Sequence, residues 1–354
     1  MMKRNCTLAL FISILLVTCT DPNDPQTSHK YEPRFIDSDP RVMFVGWKDD
    51  NQDVFTVKYD GSLLTRLTTD ENMDIGFEFS PNGNTVLFLS RRIRESGNTY
   101  RNNLGVYVMN IDGSGQTVIT DQFTSSLSPS FFPLGDEILF VGSTFGPENK
   151  IYSIDISGEN LKEITPTFNS YFEPKISSDG MKITFSISND YYTSSIYVMD
   201  VDGSLMKPLA SELINPYSPK FSPDGSKIIF FSEEDLFLID TSGQNLMRLT
   251  NNNFPDKDAC FSPDGSKIVF SSQRYDIHQN YELYVMQSDG SGESRLTIDS
   301  PDDDQPVYTQ DGAHIIYHSG QTIRIMDSDG SNSINLLAES GISSAYSPVP
   351  RPFE

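Results

Sequence analysis

The phrase Phe-Ser-Pro-Asp-Gly-Ser-Lys-Ile occurs twice in this chain, beginning at Phe221 and at Phe261. Degenerate copies open at Phe79, Phe131, Ile176 and Tyr308, and Phe35 opens one that has lost the turn consensus but keeps the flanking pattern. From Phe35 to a last resemblance at Tyr346 the copies recur at a mean interval of about 44 residues, the period of a four-stranded propeller blade. Within the unit at Phe221, residues 220–222 are expected to form a first strand, 227–232 a second, 236–240 a third and 247–250 a fourth. The turn chemistry agrees. Pro223-Asp224-Gly225 offers a fixed φ, a side chain that bonds the local backbone and a glycine for positive φ. Asp-Gly or Ser-Gly pairs at Asp60, Asp112, Ser157, Asp202, Ser242, Asp289 and Asp329 join third to fourth strands.

The second and third strands, such as Ile228-Ile229-Phe230-Phe231 and Leu283-Tyr284-Val285-Met286, are continuously apolar, so both of their faces must be buried. A sandwich would leave one face wet and show alternation, and no repeat carries the 3.6-residue period of a helix. The expected fold is therefore all-β, a seven-bladed β-propeller of four-stranded antiparallel blades over residues 32–350. Ring closure is open at this point. Ser344-Ala345-Tyr346-Ser347-Pro348 could displace the segment around Phe35 as the first strand of blade 1, or could add to it as an edge.

On these turn and core residues the units resemble the propeller repeats of the TolB family and of related WD-like exported proteins, over roughly residues 32–350. The resemblance implies a fold; the shared residues do not fix a function. The namesake of that family carries an additional α/β domain before a six-bladed ring, whereas about a dozen tether residues precede the first strand here.

The N-terminus reads as an export signal. Lys3 and Arg4 are followed by a short apolar run from Leu8 to Val17, too few residues for a stable span of a bilayer. Leu16-Val17-Thr18-Cys19 resembles the lipobox of bacterial lipoproteins, which implies lipidation of Cys19; Thr18 stands where Gly, Ala or Ser is usual, and cleavage by ordinary signal peptidase is the alternative. Residues 1–19 are thus expected to be a signal peptide, 20–31 a flexible tether and 32–350 the single propeller domain. The expected location is the periplasm or outer membrane, with the membrane contacted only through the lipid anchor. Cys260 is then the one cysteine inside the fold and is expected to be a buried thiol.

A formal net charge of −23 repels a polyphosphate backbone, so nucleic acid is not expected as a partner. A protein, a peptide or a cell-envelope glycan is expected instead, bound by a monomer. In a four-stranded meander all the regular turns fall on one rim. The long irregular connections fall on the other, where binding residues concentrate. That loop rim carries four arginines, Arg91, Arg92, Arg94 and Arg101, as candidates for an anionic ligand or acidic partner. The alternative is that they pair with neighbouring acidic loops and snorkel over apolar surface. Asp74, Glu173, Asp256, Asp258, Asp303 and Asp304 lie just ahead of the first strands and are candidates for an acidic ring at the channel mouth. Such a ring could hold Ca2+ or receive a basic peptide, or consist of solvated carboxylates. Trp47, Tyr171, Tyr192 and Tyr275 are candidate aromatic contacts, or tyrosines packed under loops.

An enzyme fits less well. The chain has no G-x-S-x-G motif, and no cofactor is expected. Some seven-bladed propellers are pectin-fragment lyases with a histidine-rich metal site, the alternative carried here. His314 and His318 are four residues apart on a strand, about 13 Å at roughly 3.3 Å per residue, too far to ligate one ion easily. No catalytic residue or metal ligand is assigned.

Overall fold

Each Ser-Pro-Asp-Gly turn closes on itself through its own side chains. Ser222 Oγ donates to Asp224 Oδ1 (2.6 Å) and accepts from the backbone N–H of Lys227 (3.0 Å), while Gly225, at φ +70°, returns its N–H to the Ser222 carbonyl (2.8 Å). Ser177 with Asp179, Ser262 with Asp264 and Thr309 with Asp311 repeat this geometry. Hydrogen bonds from Ser262 and Ser266 hold the Asp264 carboxyl down at about 2.

The computed structural model describes residues 40–92, 104–144, 149–165, 169–188, 193–274, 280–298, 301–338 and 340–352. These turns tie the described residues into seven four-stranded antiparallel sheets, with no helix among them. The second strand of the Phe221 unit is Lys227–Ser232, as its apolar run predicts, and the third is Asp235–Asp240. The fourth shortens to Met247–Arg248, and the first lengthens to Tyr217–Phe221. Seven apolar clusters each join one blade to the next. Ile229, Phe231 and Leu238 of blade 5 pack on Phe261, Ile268 and Phe270 of blade 6, and Val42, Phe44 and Phe55 of blade 1 meet Ile316 and Ile323 of blade 7. That last cluster closes the ring.

Closure is made by the C-terminus. Ser344–Pro350 pairs antiparallel with Arg41–Lys48 as the innermost strand of blade 1, with Ala345 opposite Gly46 and Tyr346 opposite Val45. The segment at Phe35, the competing candidate, lies outside the described residues. Along the turn rim the proline of one blade packs against the turn glycine of the next: Pro81 on Gly135, Pro133 on Gly180, Pro223 on Gly265 and Pro263 on Gly312. At the closure Arg351 takes the proline's place, its Nε donating to the Gly83 carbonyl at 3.0 Å.

A second repeated device lies at the outer strand. Thr68, Thr120, Thr165, Thr250 and Thr297 each accept, through Oγ1, a hydrogen bond of 2.9 to 3.0 Å from the start of the neighbouring third strand. Two residues earlier, Arg66, Arg248 and Arg295 pair with Asp53, Asp235 and Glu282, acids buried at the same strand start. The triplet Arg-Leu-Thr therefore seals the outer edge of blades 1, 5 and 6.

The turn between third and fourth strands requires a left-handed residue, which is Gly115, Asn160, Asn245, Gly292 or Asn332 in five blades but Leu63 (φ 51°) and Leu205 (φ 52°) in the other two. A branched apolar side chain costs about 1–2 kcal/mol there, and both leucines are exposed. Leu205→Asn is expected to raise stability by about 1 kcal/mol in urea unfolding. An unchanged midpoint would mean that the turn relaxes at no cost.

Candidate functional site

The innermost strands line the channel, and each is broken by a bulge. In six blades the bulged residue is left-handed: Ser128, Glu173, Ser218, Asp258, Gln305 and Ser347, with φ between 49° and 58°. In five of these a proline follows. Proline has no N–H for the ladder, so the strand admits it only where pairing is interrupted. Blade 2 keeps the bulge with Gly76-Phe77 in its place.

This geometry divides the six predicted channel-mouth acids into two groups. Asp74, Asp256 and Asp303 stand opposite Ser90, Ser272 and Ser319 and are buried between blades at 0, 2 and 0 % exposure. Burial pushes the Asp74 and Asp256 carboxyls up, against hydrogen bonds from the facing serines. Asp304, Glu173 and Asp258 belong to the next two positions, one before the bulge and the bulge itself; Asp258 lines the channel with Ile75 and Gln305, Glu173 is exposed, and Asp304 is buried at 8 % exposure. A single ring of six acids is therefore not formed. Among the described residues, no three His, Cys, Asp or Glu side chains converge as a metal site.

The arginine loop is divided as well. Arg92 Nη2 lies 3.0 Å from Asp74 Oδ2, and its guanidinium sits 5.4 and 5.3 Å from the ring centres of Phe88 and Tyr107. Arg274 repeats the placement over Phe270 and Tyr284 and pairs with Glu293. Arg92 is thus held in a recurring intramolecular position. Arg91 is exposed beside it, and Arg94 and Arg101 lie outside the described residues. Of the aromatic candidates, Tyr171 is buried in edge contact with Phe185, Trp47 is 40 % exposed at the end of its strand, and Tyr192 and Tyr275 lie outside the described residues. Cys260 is free and half-buried on its innermost strand, packed at the edge of the apolar cluster that joins blades 6 and 7 rather than sealed inside it.

The channel brings together residues from blades that are distant in the chain. A cavity of about 320 Å3 is bounded by Ile75, Phe77, Lys220, Asp258, Gln305 and Val349, among others. Lys175 reaches from blade 4 to within 5.7 Å of the Phe77 ring centre on blade 2, and Glu78 accepts from the Phe131 N–H at 3.1 Å. Burial pushes the Glu78 carboxyl up and the Lys175 ammonium down, each opposed by the charge of the other. Lys220 donates to the Ala259 carbonyl at 3.1 Å. These residues lie one and two places beyond the bulge; the only sequence signal for them is their fixed distance from the left-handed residue.

The mouth is chemically lopsided. On blades 4 and 5, Phe172 and Tyr217 are 43 and 41 % exposed. On blades 6 and 7, Lys257 Nζ lies 2.7 Å from Asp304 Oδ2 and 3.9 Å from the Tyr281 ring centre, and His318 Nδ1 lies 2.6 Å from Asp304 Oδ1. Burial pushes Asp304 up, but the hydrogen bonds from His318 and Lys257 outweigh it and hold the carboxyl below its ordinary range. His314 lies elsewhere, 3.6 Å from Asp327, so the two histidines do not share a ligand position.

The family model described as the TolB beta propeller domain matches residues 97–235 and 192–351. An uncharacterised protein of Agrobacterium fabrum is 29 % identical over 98 residues, a stretch that spans 28 % of this chain and 31 % of that protein. Among solved structures, TolB from Acinetobacter baumannii aligns with a TM-score of 0.55 at 19 % identity, over 88 % of this chain and 83 % of its own. A putative TolB from Agrobacterium tumefaciens aligns with a TM-score of 0.51 at 20 % identity, over 68 and 94 %. An oligogalacturonate lyase in complex with manganese aligns with a TM-score of 0.62 at 13 % identity, over 84 and 85 %. At such identities the structures speak for the fold alone. Repeat period, blade architecture and family model coincide over most of the ring, and the chain belongs to the TolB beta propeller domain family.

Proposed function

We propose that the protein is an exported, non-enzymatic propeller of the cell envelope, tethered through a lipid on Cys19, that holds a protein, a peptide or an envelope glycan against its loop rim and channel mouth. Family membership and the N-terminal sequence support the export reading. The observation that carries the binding reading is the contrast between the rims. The turn rim repeats one hydrogen-bonded turn from blade to blade, whereas the channel mouth has Phe172, Tyr217, Lys257 and, buried against Lys257 and His318, Asp304 at equivalent strand positions. A structural role alone would favour the same residue in every blade, since each sits in the same packing environment. His318 is engaged with Asp304, so the lyase alternative finds no histidine cluster among the described residues.

The test is site-specific crosslinking in the native envelope. A photoreactive side chain at Phe172 is expected to give a discrete adduct, and one at Asp224 on the turn rim none. Adducts from Asp224 with none from Phe172 would reverse the assignment of the rims.

A further inference from the structure

The mouth between blades 4 and 6 combines exposed aromatic faces with carboxylates. Phe172 and Tyr217 come from neighbouring innermost strands. Tyr217 stacks on Phe231 behind it, 5.7 Å between ring centres, which fixes its ring and leaves the other side to solvent. Glu173, at the bulge beside Phe172, accepts from Ser218 Oγ at 2.7 Å and is thereby held beside the Tyr217 strand. Glu234 is exposed on blade 5, and its carbonyl accepts from the Asp256 N–H of blade 6 at 2.8 Å, so it stands at the same seam. Burial and the proximity of Tyr281, Asp258, Glu234 and Glu173 together push the Tyr217 phenol up, as expected where negative charge gathers round one ring.

An ammonium already occupies part of this environment. Lys257 Nζ lies 3.9 Å from the Tyr281 ring centre and 3.9 Å from Asp258 Oδ2. Aromatic faces flanked by carboxylates attract a cation through the ring quadrupole and through charge. Lys257 is taken up by Asp304, at 2.7 Å, and so leaves Glu173, Glu234 and the outer face of Tyr217 facing the mouth.

We propose that this mouth is a receptor for a cationic side chain, an arginine or lysine carried by an extended peptide segment of the partner. The guanidinium or ammonium lies on Tyr217, with Phe172 covering its aliphatic stem and Glu173 and Glu234 supplying the counter-charge. Arginine suits the site better than lysine, because a planar guanidinium stacks on the ring while its edge N–H groups reach carboxylates. The inference rests on the loop-rim reading above and names the chemistry of its ligand.

The probe is a fluorescein-labelled, N-acetylated and C-amidated tetra-arginine peptide, followed by anisotropy with the whole mature protein. A tetra-citrulline peptide of the same shape is expected to bind at least tenfold more weakly. Tyr217→Leu, which keeps apolar area and loses the π face, is expected to weaken tetra-arginine about fivefold, and the pair Glu173→Gln with Glu234→Gln about tenfold. Since the chain carries a net charge of −23, the pair Asp224→Asn with Asp264→Asn removes equal charge from the turn rim and is expected to leave binding unchanged. Equal binding of citrulline, an unaffected Tyr217→Leu protein, or equal weakening by the turn-rim pair would each overturn the proposal; the last would reduce it to attraction by total charge. Displacement of the peptide by calcium chloride at an ionic strength where sodium chloride has no effect would assign the carboxylates to a metal ion instead. An adduct from Phe172 in the envelope that tetra-arginine fails to compete would sink this inference and leave the loop-rim reading standing.

Discussion

Gly203→Ala is expected to destabilise the propeller by about 3 kcal/mol or more, one of the largest single-residue effects in the ring. A Cβ at this position would lie 2.1 Å from the backbone oxygen of Ile164 on the neighbouring blade, and the residue sits at φ +85°. The backbone conformation alone accounts for about 1–2 kcal/mol. The remainder comes from the collision, which no side-chain rotation relieves because the atom struck is a carbonyl. Gly341 is the control. It has φ +69° and no atom within 4 Å, so Gly341→Ala should carry the conformational cost only, about 1 kcal/mol. Urea unfolding of the two variants separates the terms; equal losses would mean that blades 3 and 4 are not in backbone contact through this turn.

Deleting residues 344–354 is expected to abolish cooperative folding. The deletion strips Arg41–Lys48 of its inner neighbour, removes Ala345 from the cluster that joins blade 1 to blade 7, and takes Arg351 from the Gly83 carbonyl. It leaves an unpaired apolar strand edge facing the channel. A rearranged chain with residues 342–352 placed ahead of residue 40 through a short Gly-Ser linker should fold again. Arg351 N–H already donates to the Arg41 carbonyl at 2.8 Å, so the two ends meet on the turn rim where the other blades have a hairpin. Circular dichroism and a single unfolding transition report both outcomes. A truncated chain that still melts cooperatively would show that the ring does not depend on the C-terminal strand.

Arg66-Leu67-Thr68, Arg248-Leu249-Thr250 and Arg295-Leu296-Thr297 recur in plain view, yet their role is unreadable without the third strand that each Thr caps and the buried acid that each Arg meets. Arg92 is a similar case. In the chain it belongs to a basic loop; in the ring it covers Phe88 and Tyr107 and pairs with Asp74, eighteen residues away.

The sequence by itself determined the number of blades, the strands of each and the chemistry of both turns, because these depend on contacts within about 44 residues and on local φ preferences that Pro, Asp and Gly impose directly. Tertiary structure alone decided which terminus closes the ring, since the segments at Phe35 and Tyr346 carry the same pattern and their choice rests on pairing across some three hundred residues. It also decided which acids face the channel. Alternation along the strand turns Asp74, Asp256 and Asp303 into the blade interfaces, and the left-handed bulge keeps Glu173 and Asp258, two places beyond the equivalent position, from following them; Asp304, one place before the bulge, is itself buried against Lys257 and His318.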